Sequence, residues 1–536
     1  MEASQLVSQC FSSAPKYTQI KAGLPEDYSS IKTIRDLLQI NYKLVGAKEQ
    51  LRENLIRIMN GTGAKYPGII GYEDDVVPAL DRAILSCHDV FLIGQIGQAK
   101  TRLVEVIAKY LLSPIPVIDG SITNDTPMDL PQNDLTSLLD GQEPQNTSPT
   151  FRISPESAKK IQDNKLDTKI NWIDGTQRFR YVLATPDISV KDLVGYIDAI
   201  KVAKKGVEMY KIDSYSPGQL LQAKHGIFCI DELPVLDPRK QVALLSVLQE
   251  GRYTTGSYPV VFEPKTVFFA TANPIDYTHS GKIIEPLYDR LKSHIHTHYP
   301  KTIQDEMQII LQEAKIANCL IPIFVLKTLT RLVHRARANP EINQAKGVSV
   351  RLGIHGLELL VGESERTRAI LHKTIPVPRH SDMYCLGQIA KFELAEIDDT
   401  IENRKKIFES MLGDSIKETC LEYIQGLPQE ILDAIKQEFM GKTFPISQAM
   451  VWQNGQVSYS NHLAGFANLA KLVQTKFEQI IQEQASLAKD VTNKNLTPEQ
   501  SSDGELKSSI LEIILDGFYY LTPKIIDKKE AGYVAA

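Results

Sequence analysis

Cysteine is sparse in this sequence, and long apolar runs are missing from it. The six cysteines lie far apart and form no CxxC pair: Cys10, Cys87, Cys229, Cys319, Cys385 and Cys420. This spacing argues against a zinc site and against a dense disulfide framework, so we expect reduced thiols. The sequence has no run of about 18 apolar residues, so we expect no membrane-spanning helix. The N-terminus lacks the basic start and apolar core of a secretory signal. We therefore expect a soluble, cytoplasmic protein.

A strong net charge is also missing. The formal charge is −5 and the isoelectric point is near 6.2, which gives no global attraction to nucleic acid or to an anionic membrane. Hydrophobic residues make up 43% and charged residues 23%, the proportions of a globular protein. The length of 536 residues favours two or three domains.

The pattern of apolar and polar residues changes along the chain. Residues 1–65 carry a helical apolar period, residues 66–300 alternate short apolar runs with helical stretches, and the chain beyond residue 300 is almost entirely helical in pattern. Runs that are apolar on both faces favour a parallel sheet covered by helices, which predicts an α/β, doubly wound fold. Within this block, residues 121–180 are polar and predict an irregular, partly flexible insertion. The apolar runs are Val90–Ile93, Pro116–Ile118, Ile227–Ile230 and Val267–Ala270.

The first of these runs leads into a segment with the sequence GQIGQAKT, residues 94–101. Backbone N–H groups at the start of a helix bind phosphate, and the helix dipole favours negative charge there. Lys100 would reach the β- and γ-phosphates of ATP, and the Thr101 hydroxyl would ligate Mg²⁺. Ala99 stands where the strict pattern has glycine, which is tolerable if its φ is helical. The predicted ATP-binding residues of this segment are Gly94, Gln95, Gly97, Gln98, Ala99, Lys100, Thr101 and Arg102.

Two further apolar strands end in polar side chains. The strand beginning at His225 ends in Asp231 and Glu232; the first would hold hydrated Mg²⁺, and the second would activate the attacking water as a general base. The strand beginning at Thr266 ends in Asn273, whose amide would position that water. Each pattern alone also fits an ordinary strand end or an Asn-Pro turn. Their order along the chain favours ATP binding and hydrolysis.

These motifs resemble AAA+ ATPases of the MoxR and magnesium-chelatase motor-subunit clade over roughly residues 65–370. The segment Ile69–Asp74 is similar to the part of those proteins that contacts adenine, and the resemblance assigns this contact to Ile70 and Gly71. The alanine form of the phosphate loop is common in the clade. Residues 184–223 resemble the clade's insertion at its second helix, which places an insertion at about 121–220. Residues 254–264 would then form the hairpin before the strand that ends in Asn273.

The resemblance also assigns two arginines. Arg290 resembles an arginine finger that reaches the γ-phosphate held by a neighbouring subunit; a structural Asp–Arg pair at a helix end is the alternative. Arg351 resembles the second sensor of a helical lid, with a surface arginine as the alternative. The implied domains are a helical segment at 1–65, an ATPase core at 66–300, a lid at 301–375 and a helical C-terminal region at 376–536.

The family implies ATP and Mg²⁺ as cofactors and a homo-hexameric ring that remodels a partner protein, with assistance in metal or cofactor insertion as one form of that work. A protein with a von Willebrand A domain is the implied partner. Three alternatives stay open: a true chelatase motor for porphyrins, a DNA-acting helicase or loader, and a nucleotide-gated scaffold that scarcely hydrolyses ATP. The acidic isoelectric point argues against the DNA-acting alternative.

Two other features carry less weight. His294, His296 and His298 alternate along an extended segment, but neighbouring rings on one face are anchored about 6–7 Å apart and no acidic residue is adjacent. A polar strand face is the favoured interpretation. The basic stretch 201–211 is interpreted as a solvated helical face.

Overall fold

The computed structural model describes residues 2–61, 64–142, 150–205, 212–255, 260–274, 282–344, 347–395, 399–447, 459–490, 494–497 and 502–536. The tip of the predicted hairpin, residues 256–259, and residues 206–211 of the basic stretch lie outside these ranges. The chain divides into two compact units, Met1–His298 and Tyr299–Ala536. Within the described ranges, every helix is too short or too polar to cross a membrane.

The first unit contains a central sheet of parallel strands. Among the described residues this sheet has five strands that all pair in parallel, so each strand is joined to the next by a crossover connection. In spatial order the strands are Ser293–His296, Val90–Ile93, Val267–Ala272, Ile227–Asp231 and Phe179–Leu183.

Both faces of this sheet are covered. Phe91 and Ile93 belong to one hydrophobic cluster, whereas Val90 and Leu92 of the same strand belong to another. Alternate residues of a strand point to opposite faces, so two clusters mean two buried faces. The prediction of a doubly wound α/β fold is confirmed. The helices of this unit are Glu2–Ser12, Ile34–Gln39, Ala47–Asn60, Val76–Leu85, Lys100–Leu111, Gln132–Leu139, Pro155–Asn164, Val190–Val194, Ala199–Lys205, Gln219–Gln222, Pro238–Glu250 and Glu285–Arg290.

Short 3-10 turns and short strand pairs complete the first unit. The turns lie at Tyr28–Ser30, Pro127–Asp129, Lys165–Asp167, Ile212–Ser214 and Leu233–Val235. The pairs are Gln19–Lys21 with Leu24–Pro25, Ile115–Ile118 with Ile170–Ile173, Thr150–Phe151 with Val261–Phe262, and Tyr196–Ile197 with Tyr215–Ser216.

One apolar run does not enter the central sheet. The run predicted at Pro116–Ile118 forms the strand Ile115–Ile118, which pairs antiparallel with Ile170–Ile173 in a separate sheet. The central sheet instead ends with Phe179–Leu183, a strand in which Arg180 interrupts the apolar residues and only Val182 is buried. An edge strand has a partner on one side only, which is why more of its residues reach solvent.

The prediction of an irregular insertion at 121–180 is wrong for its described part. Gln132–Leu139 and Pro155–Asn164 are helices, and their apolar faces pack with the N-terminal helices Glu2–Ser12 and Ile34–Gln39 in one cluster. Polar composition was misleading because each short helix buries only one side here. The N-terminal segment is helical as predicted, with the addition of the short strand pair at residues 19–25.

The second unit is mainly helical, and in its described part the buried apolar residues form one hydrophobic cluster, to which both the predicted lid and the predicted C-terminal region contribute. Its helices are Ile303–Glu313, Ile323–Ala338, Arg351–Ser364, Ile370–His372, Ile401–Ile424, Gln429–Glu438, Ala467–Asp490 and Asp503–Tyr520. A π-helical turn at Glu365–Ala369, 3-10 segments at His380–Ile389, Tyr459–Gly465 and Lys494–Leu496, and strands at Ile526–Lys529 and Gly532–Ala535 complete it.

Candidate nucleotide site

The phosphate loop begins where the fully buried strand Val90–Ile93 ends, and the helix Lys100–Leu111 follows it. Gly94 is packed so tightly that a Cβ there would lie 2.0 Å from Thr297 Oγ1 and 2.2 Å from Gln98 Oε1. Gly97 has a φ of 80°, which glycine adopts without steric cost. Both glycines are therefore required by the backbone path of the loop.

Ala99 does not have the helical φ that would make it a neutral substitute for glycine. Its φ of 52° and ψ of 20° are left-handed, and the helix begins only at Lys100. A left-handed conformation costs an L-residue with a Cβ about 1–2 kcal/mol. The expectation for this position is corrected: alanine is accommodated here with backbone strain.

Gln98 holds the loop from the inside. Its Oε1 accepts hydrogen bonds from the Gln95 backbone N–H at 2.9 Å and from Thr297 Oγ1 at 2.9 Å. The Tyr72 hydroxyl donates to the Gln98 carbonyl oxygen at 2.7 Å and to that of His298 at 3.0 Å. The Gln98 side chain thus fixes the shape of the loop from its inner side.

The predicted adenine segment adjoins this anchor. Ile70 and Gly71 immediately precede Tyr72; both are half-buried, and Gly71 has a φ of 80°. Tyr72 packs edge-on against His298, with ring centroids 5.1 Å apart, and His298 Nε2 lies 3.0 Å from Asp75 Oδ1. The segment is therefore tied to the phosphate loop through Tyr72, while an adenine contact of Ile70 and Gly71 stays a prediction.

Lys100 extends back over the loop. Its Nζ donates to the carbonyl oxygens of Gly94 at 2.5 Å and Gln95 at 2.9 Å. The ammonium group is thus held beside the loop at the start of the helix, where the helix dipole also favours an anion. Arg102, two residues on, is exposed and lies 3.7 Å from Glu105 Oε2.

The carboxylate of Asp231 is surrounded by hydroxyl groups. Its Oδ2 accepts from Thr101 Oγ1 at 3.2 Å and from the Tyr181 hydroxyl at 2.8 Å, and its Oδ1 accepts from Thr271 Oγ1. Burial is the main cause that raises the pKa of Tyr181, and the hydrogen bond to Asp231 is the second. This hydroxyl is therefore a hydrogen-bond donor at neutral pH. The structure thus brings together Thr101 and Asp231, the two residues predicted to hold Mg²⁺.

Glu232 follows Asp231 in a left-handed conformation, with a φ of 56°. Its backbone N–H donates to Thr271 Oγ1 at 3.1 Å, so one threonine hydroxyl is bonded to both members of the acidic pair. Asn273 is buried directly after the strand Val267–Ala272, which pairs in parallel with the strand ending in Asp231. The predicted base and the predicted amide therefore lie at the same edge of the sheet.

Arg290 ends the helix Glu285–Arg290 and contacts residues of its own unit. Its Nε donates to Gln249 Oε1 at 3.1 Å, and its Nη1 donates to the Pro286 carbonyl oxygen at 3.1 Å and to Asp289 at 3.3 Å. The Asp–Arg pair that was the structural alternative is thus present, and 32% of the Arg290 side chain stays exposed. Its role as a finger remains a prediction.

Arg351 lies in the second unit, where it begins the helix Arg351–Ser364 with an exposed side chain. Its backbone N–H donates to Ser349 Oγ at 3.1 Å. Its role as a second sensor remains a prediction.

The residues at this edge fit a magnesium ion. Mg²⁺ prefers hard oxygen ligands at about 2.0–2.1 Å, so two adjacent octahedral ligands lie about 2.9 Å apart. The Thr101 hydroxyl and the Asp231 carboxylate are oxygen donors 3.2 Å apart at the start of a helix. A bound ion would neutralise phosphate charge there. Among the described residues, no separate cluster of three or more His, Cys, Asp or Glu side chains forms a metal site, the alternating histidines included.

Sequence reasoning did not identify Tyr181, Thr271 or Gln249. Thr271 lies two residues before Asn273, near the end of the strand Val267–Ala272, so the period of two places both on one face and was a usable indication. Tyr181 lies on the edge strand that was not recognised, and Gln249 lies near the end of a helix with no local motif. Their positions depend on long-range packing.

Comparison with known proteins identifies a family for part of the chain. Residues 164–291 match the AAA domain of the dynein-related subfamily. This range contains the acidic pair, Asn273 and Arg290, and it begins after the phosphate loop.

Individual similarities are weaker. An uncharacterised protein, YeaC, of Bacillus subtilis is 24% identical over 175 residues, which is 31% of this chain and 50% of that protein, so the chain spans half the length of this relative. A structure of the complex between the magnesium-chelatase subunits BchI and BchD is similar at 18% identity and a TM-score of 0.31, covering 63% of this chain and 98% of that one. NtrX from Brucella abortus in complex with ATP is similar at 14% identity and a TM-score of 0.29, covering 76% of this chain and 67% of that one.

The AAA domain match and the strand order of the central sheet support the same fold assignment. The strand that leads into the phosphate loop lies between the strand of Asn273 and the strand after Arg290, and the acidic strand lies beyond the Asn273 strand. The prediction of an AAA+ fold is confirmed. Residues 164–291 therefore form an AAA domain, and the central sheet has the strand arrangement of the AAA+ P-loop fold.

Proposed function

We propose that this chain binds ATP with Mg²⁺ and hydrolyses it. The observation that carries the proposal is the 3.2 Å contact between Thr101 Oγ1 and Asp231 Oδ2, which joins the start of the phosphate-loop helix to the end of the acidic strand. Two oxygen ligands from separate motifs converge where the loop's N–H groups and Lys100 would bind phosphate.

Each predicted residue then has a chemical task. Lys100 exchanges its contacts with the loop carbonyl groups for the β- and γ-phosphates, and Thr101 and Asp231 hold the hydrated ion. Glu232 takes a proton from the attacking water, which Asn273 orients. Thr271 supports this arrangement because it fixes both the Asp231 carboxylate and the Glu232 backbone.

We further propose a ring, most simply a homo-hexamer, in which Arg290 reaches the nucleotide of a neighbouring subunit. Arg351 acts as the second sensor of the γ-phosphate. The motor remodels a partner protein through residues 184–220 and the 254–264 segment. Assistance in metal or cofactor insertion, beside a protein with a von Willebrand A domain, is the most specific form of this proposal. It rests on the resemblance of the motifs to the MoxR and chelatase clade.

Two substitutions test nucleotide chemistry. Lys100→Ala is expected to abolish ATP binding in isothermal titration calorimetry, whereas Lys109→Ala, which removes an exposed lysine from the last turn of the same helix, is expected to leave it intact. Glu232→Gln is expected to bind ATP and not turn it over. Retained tight binding by Lys100→Ala would remove the phosphate-loop assignment, and wild-type turnover by Glu232→Gln would assign the base elsewhere.

The partner protein can be identified by trapping it on the full chain. Glu232→Gln in ATP should hold a client that wild-type protein releases, and Lys100→Ala serves as the control that never reaches the ATP state. Mass spectrometry of proteins retained only by Glu232→Gln identifies the client. Porphyrin-pathway proteins would favour the chelatase alternative, and salt-dependent stimulation of the ATPase by DNA would favour the DNA-acting one.

A further inference from the structure

Asp231 has one hydrogen-bond partner that the nucleotide chemistry above does not use. Thr101 belongs to the phosphate loop and Thr271 to the strand before Asn273, so both lie on elements already assigned. The third donor is the Tyr181 hydroxyl, 2.8 Å from Asp231 Oδ2. It is closer to that oxygen than Thr101 Oγ1, which lies 3.2 Å from the same atom.

The sheet register explains how Tyr181 reaches this carboxylate. Tyr181 lies on the edge strand Phe179–Leu183 and is paired with Cys229, two residues before Asp231 on the neighbouring strand. Residues two apart share a face, so Asp231 lies on the side of the sheet to which Tyr181 points. The phenol ring spans the diagonal between them. The side chain is 44% exposed, so it borders solvent at the open side of the site.

The chemistry of the contact favours a metal-related role. A carboxylate that ligates a metal ion, directly or through water, binds best when other hydrogen bonds fix its orientation. The Thr101 hydroxyl has two tasks, because it would give a lone pair to the ion while its O–H still donates a hydrogen bond to Asp231 Oδ2. The Tyr181 hydroxyl has no other polar task at this site and can hold Oδ2 throughout the cycle.

We propose that Tyr181 is a positioning residue for Asp231, whose carboxylate it orients for the Mg²⁺ of a bound nucleotide. The inference rests on the proposed function, since the ion is part of that function. It adds a residue of the edge strand Phe179–Leu183 to those that the proposed magnesium site requires.

The test compares Tyr181→Phe with wild type in the full chain. Phenylalanine keeps the ring and removes only the hydroxyl. Binding of Mn²⁺, as a spectroscopic substitute for Mg²⁺, is titrated by electron paramagnetic resonance in the presence of ADP, where no turnover occurs. We expect the Mn²⁺ dissociation constant to rise about tenfold, while ADP affinity measured in EDTA stays unchanged. The Mg²⁺ concentration for half-maximal ATPase should rise in parallel, with kcat largely restored at saturating Mg²⁺.

Tyr196→Phe is the matched control, because Tyr196 is 42% exposed in the same unit and lies in the separate strand pair with Tyr215–Ser216. It should leave Mn²⁺ affinity unchanged. An unchanged Mn²⁺ dissociation constant for Tyr181→Phe, beside wild-type protein that binds Mn²⁺ with ADP, overturns the positioning role alone. Wild-type protein that binds neither ADP nor ATP overturns the proposed function and this inference with it.

Discussion

Arg290 donates a hydrogen bond from Nε to Oε1 of Gln249 across 3.1 Å. Gln249 lies near the end of the helix Pro238–Glu250, and this helix follows Glu232 after a single 3-10 turn. The guanidinium group proposed to act on a neighbour's nucleotide is therefore held by the segment that follows the subunit's own acidic pair. In the proposed ring, this contact would link a subunit's own acidic pair to the arginine that it presents to its neighbour.

Mixing experiments test whether Arg290 acts between subunits. Arg290→Ala added to wild-type protein should lower ATPase activity by more than its mole fraction, because each defective subunit also impairs a neighbour. Arg252→Ala, which removes a more exposed arginine paired with Glu250, should have no such effect. A loss strictly proportional to the fraction of Arg290→Ala would mean that the arginine serves its own subunit only.

Gln249→Ala tests how the finger is held. It keeps the guanidinium group and removes one hydrogen bond at a partly exposed position, so the loss of ATPase activity should be at most about fivefold. Steady-state rates at saturating ATP measure this. A loss as complete as that of Arg290→Ala would show that Gln249 does more than hold the finger.

Ala99→Gly should stabilise the first unit. Glycine relieves the left-handed strain of about 1–2 kcal/mol at this position and loses about 0.5–1 kcal/mol through greater freedom in the unfolded chain. The net expectation is a gain of up to about 1.5 kcal/mol in the free energy of unfolding, measured with urea. Ala79→Gly, inside the helix Val76–Leu85, should instead cost about 1 kcal/mol. A loss of stability in Ala99→Gly would contradict the left-handed conformation.

Gly94→Ala should disrupt the phosphate loop. The added methyl group would lie 2.0 Å from Thr297 Oγ1 and would separate it from Gln98. We expect a cost of about 1–3 kcal/mol in the free energy of unfolding and loss of ATP binding by calorimetry. Gly46→Ala is the control, because a Cβ there meets no atom of the described chain within 4 Å. Normal ATP binding by Gly94→Ala would mean that the loop can widen without losing its shape.

The second unit should lose stability in acid through His380. Burial lowers the pKa of this histidine to about 4, and its ring nitrogens contact Thr328 Oγ1 at 3.0 Å and Cys420 Sγ at 3.5 Å. The unfolded chain takes up a proton near the ordinary pKa of about 6.5, and the folded chain does so only near pH 4. Stability is therefore full above pH 6.5 and declines as the pH falls towards 4, by about 3 kcal/mol.

Hydrogen exchange in urea, followed on peptides of residues 299–536 between pH 4 and 7, measures this decline. His380→Gln should flatten the pH dependence, whereas His355→Gln, at an exposed position of the helix Arg351–Ser364, should not. An unchanged slope in His380→Gln would assign the acid sensitivity to another group.

Much of the core was predictable because its indications are local. Val90–Ile93 is apolar on both faces and leads into a loop of glycines and a lysine, and Asp231 with Glu232 ends another such strand. The edge strand Phe179–Leu183 was not predictable by the same criterion. Arg180 interrupts its apolar residues, most of them are partly exposed, and its place in the sheet depends on pairing with residues some fifty positions later in the chain.

Local pattern also misled at two points. Ile115–Ile118 is as apolar as a central strand, but it pairs with Ile170–Ile173, and its Ile118 packs in the cluster of the N-terminal helices, so its burial does not mean membership of the central sheet. Ala99 precedes a helix, and only the path of the loop shows that its φ is left-handed.

The sequence by itself determined which groups are proposed for the nucleotide chemistry, because a phosphate loop and an acidic strand end are each encoded within a few consecutive residues. Tertiary structure alone decided what surrounds them: the hydroxyls of Tyr181 and Thr271 reach Asp231 from separate strands, and Gln249 reaches Arg290 from a separate helix. Contacts of this kind depend on strand order and helix packing between distant residues, which no local spacing contains.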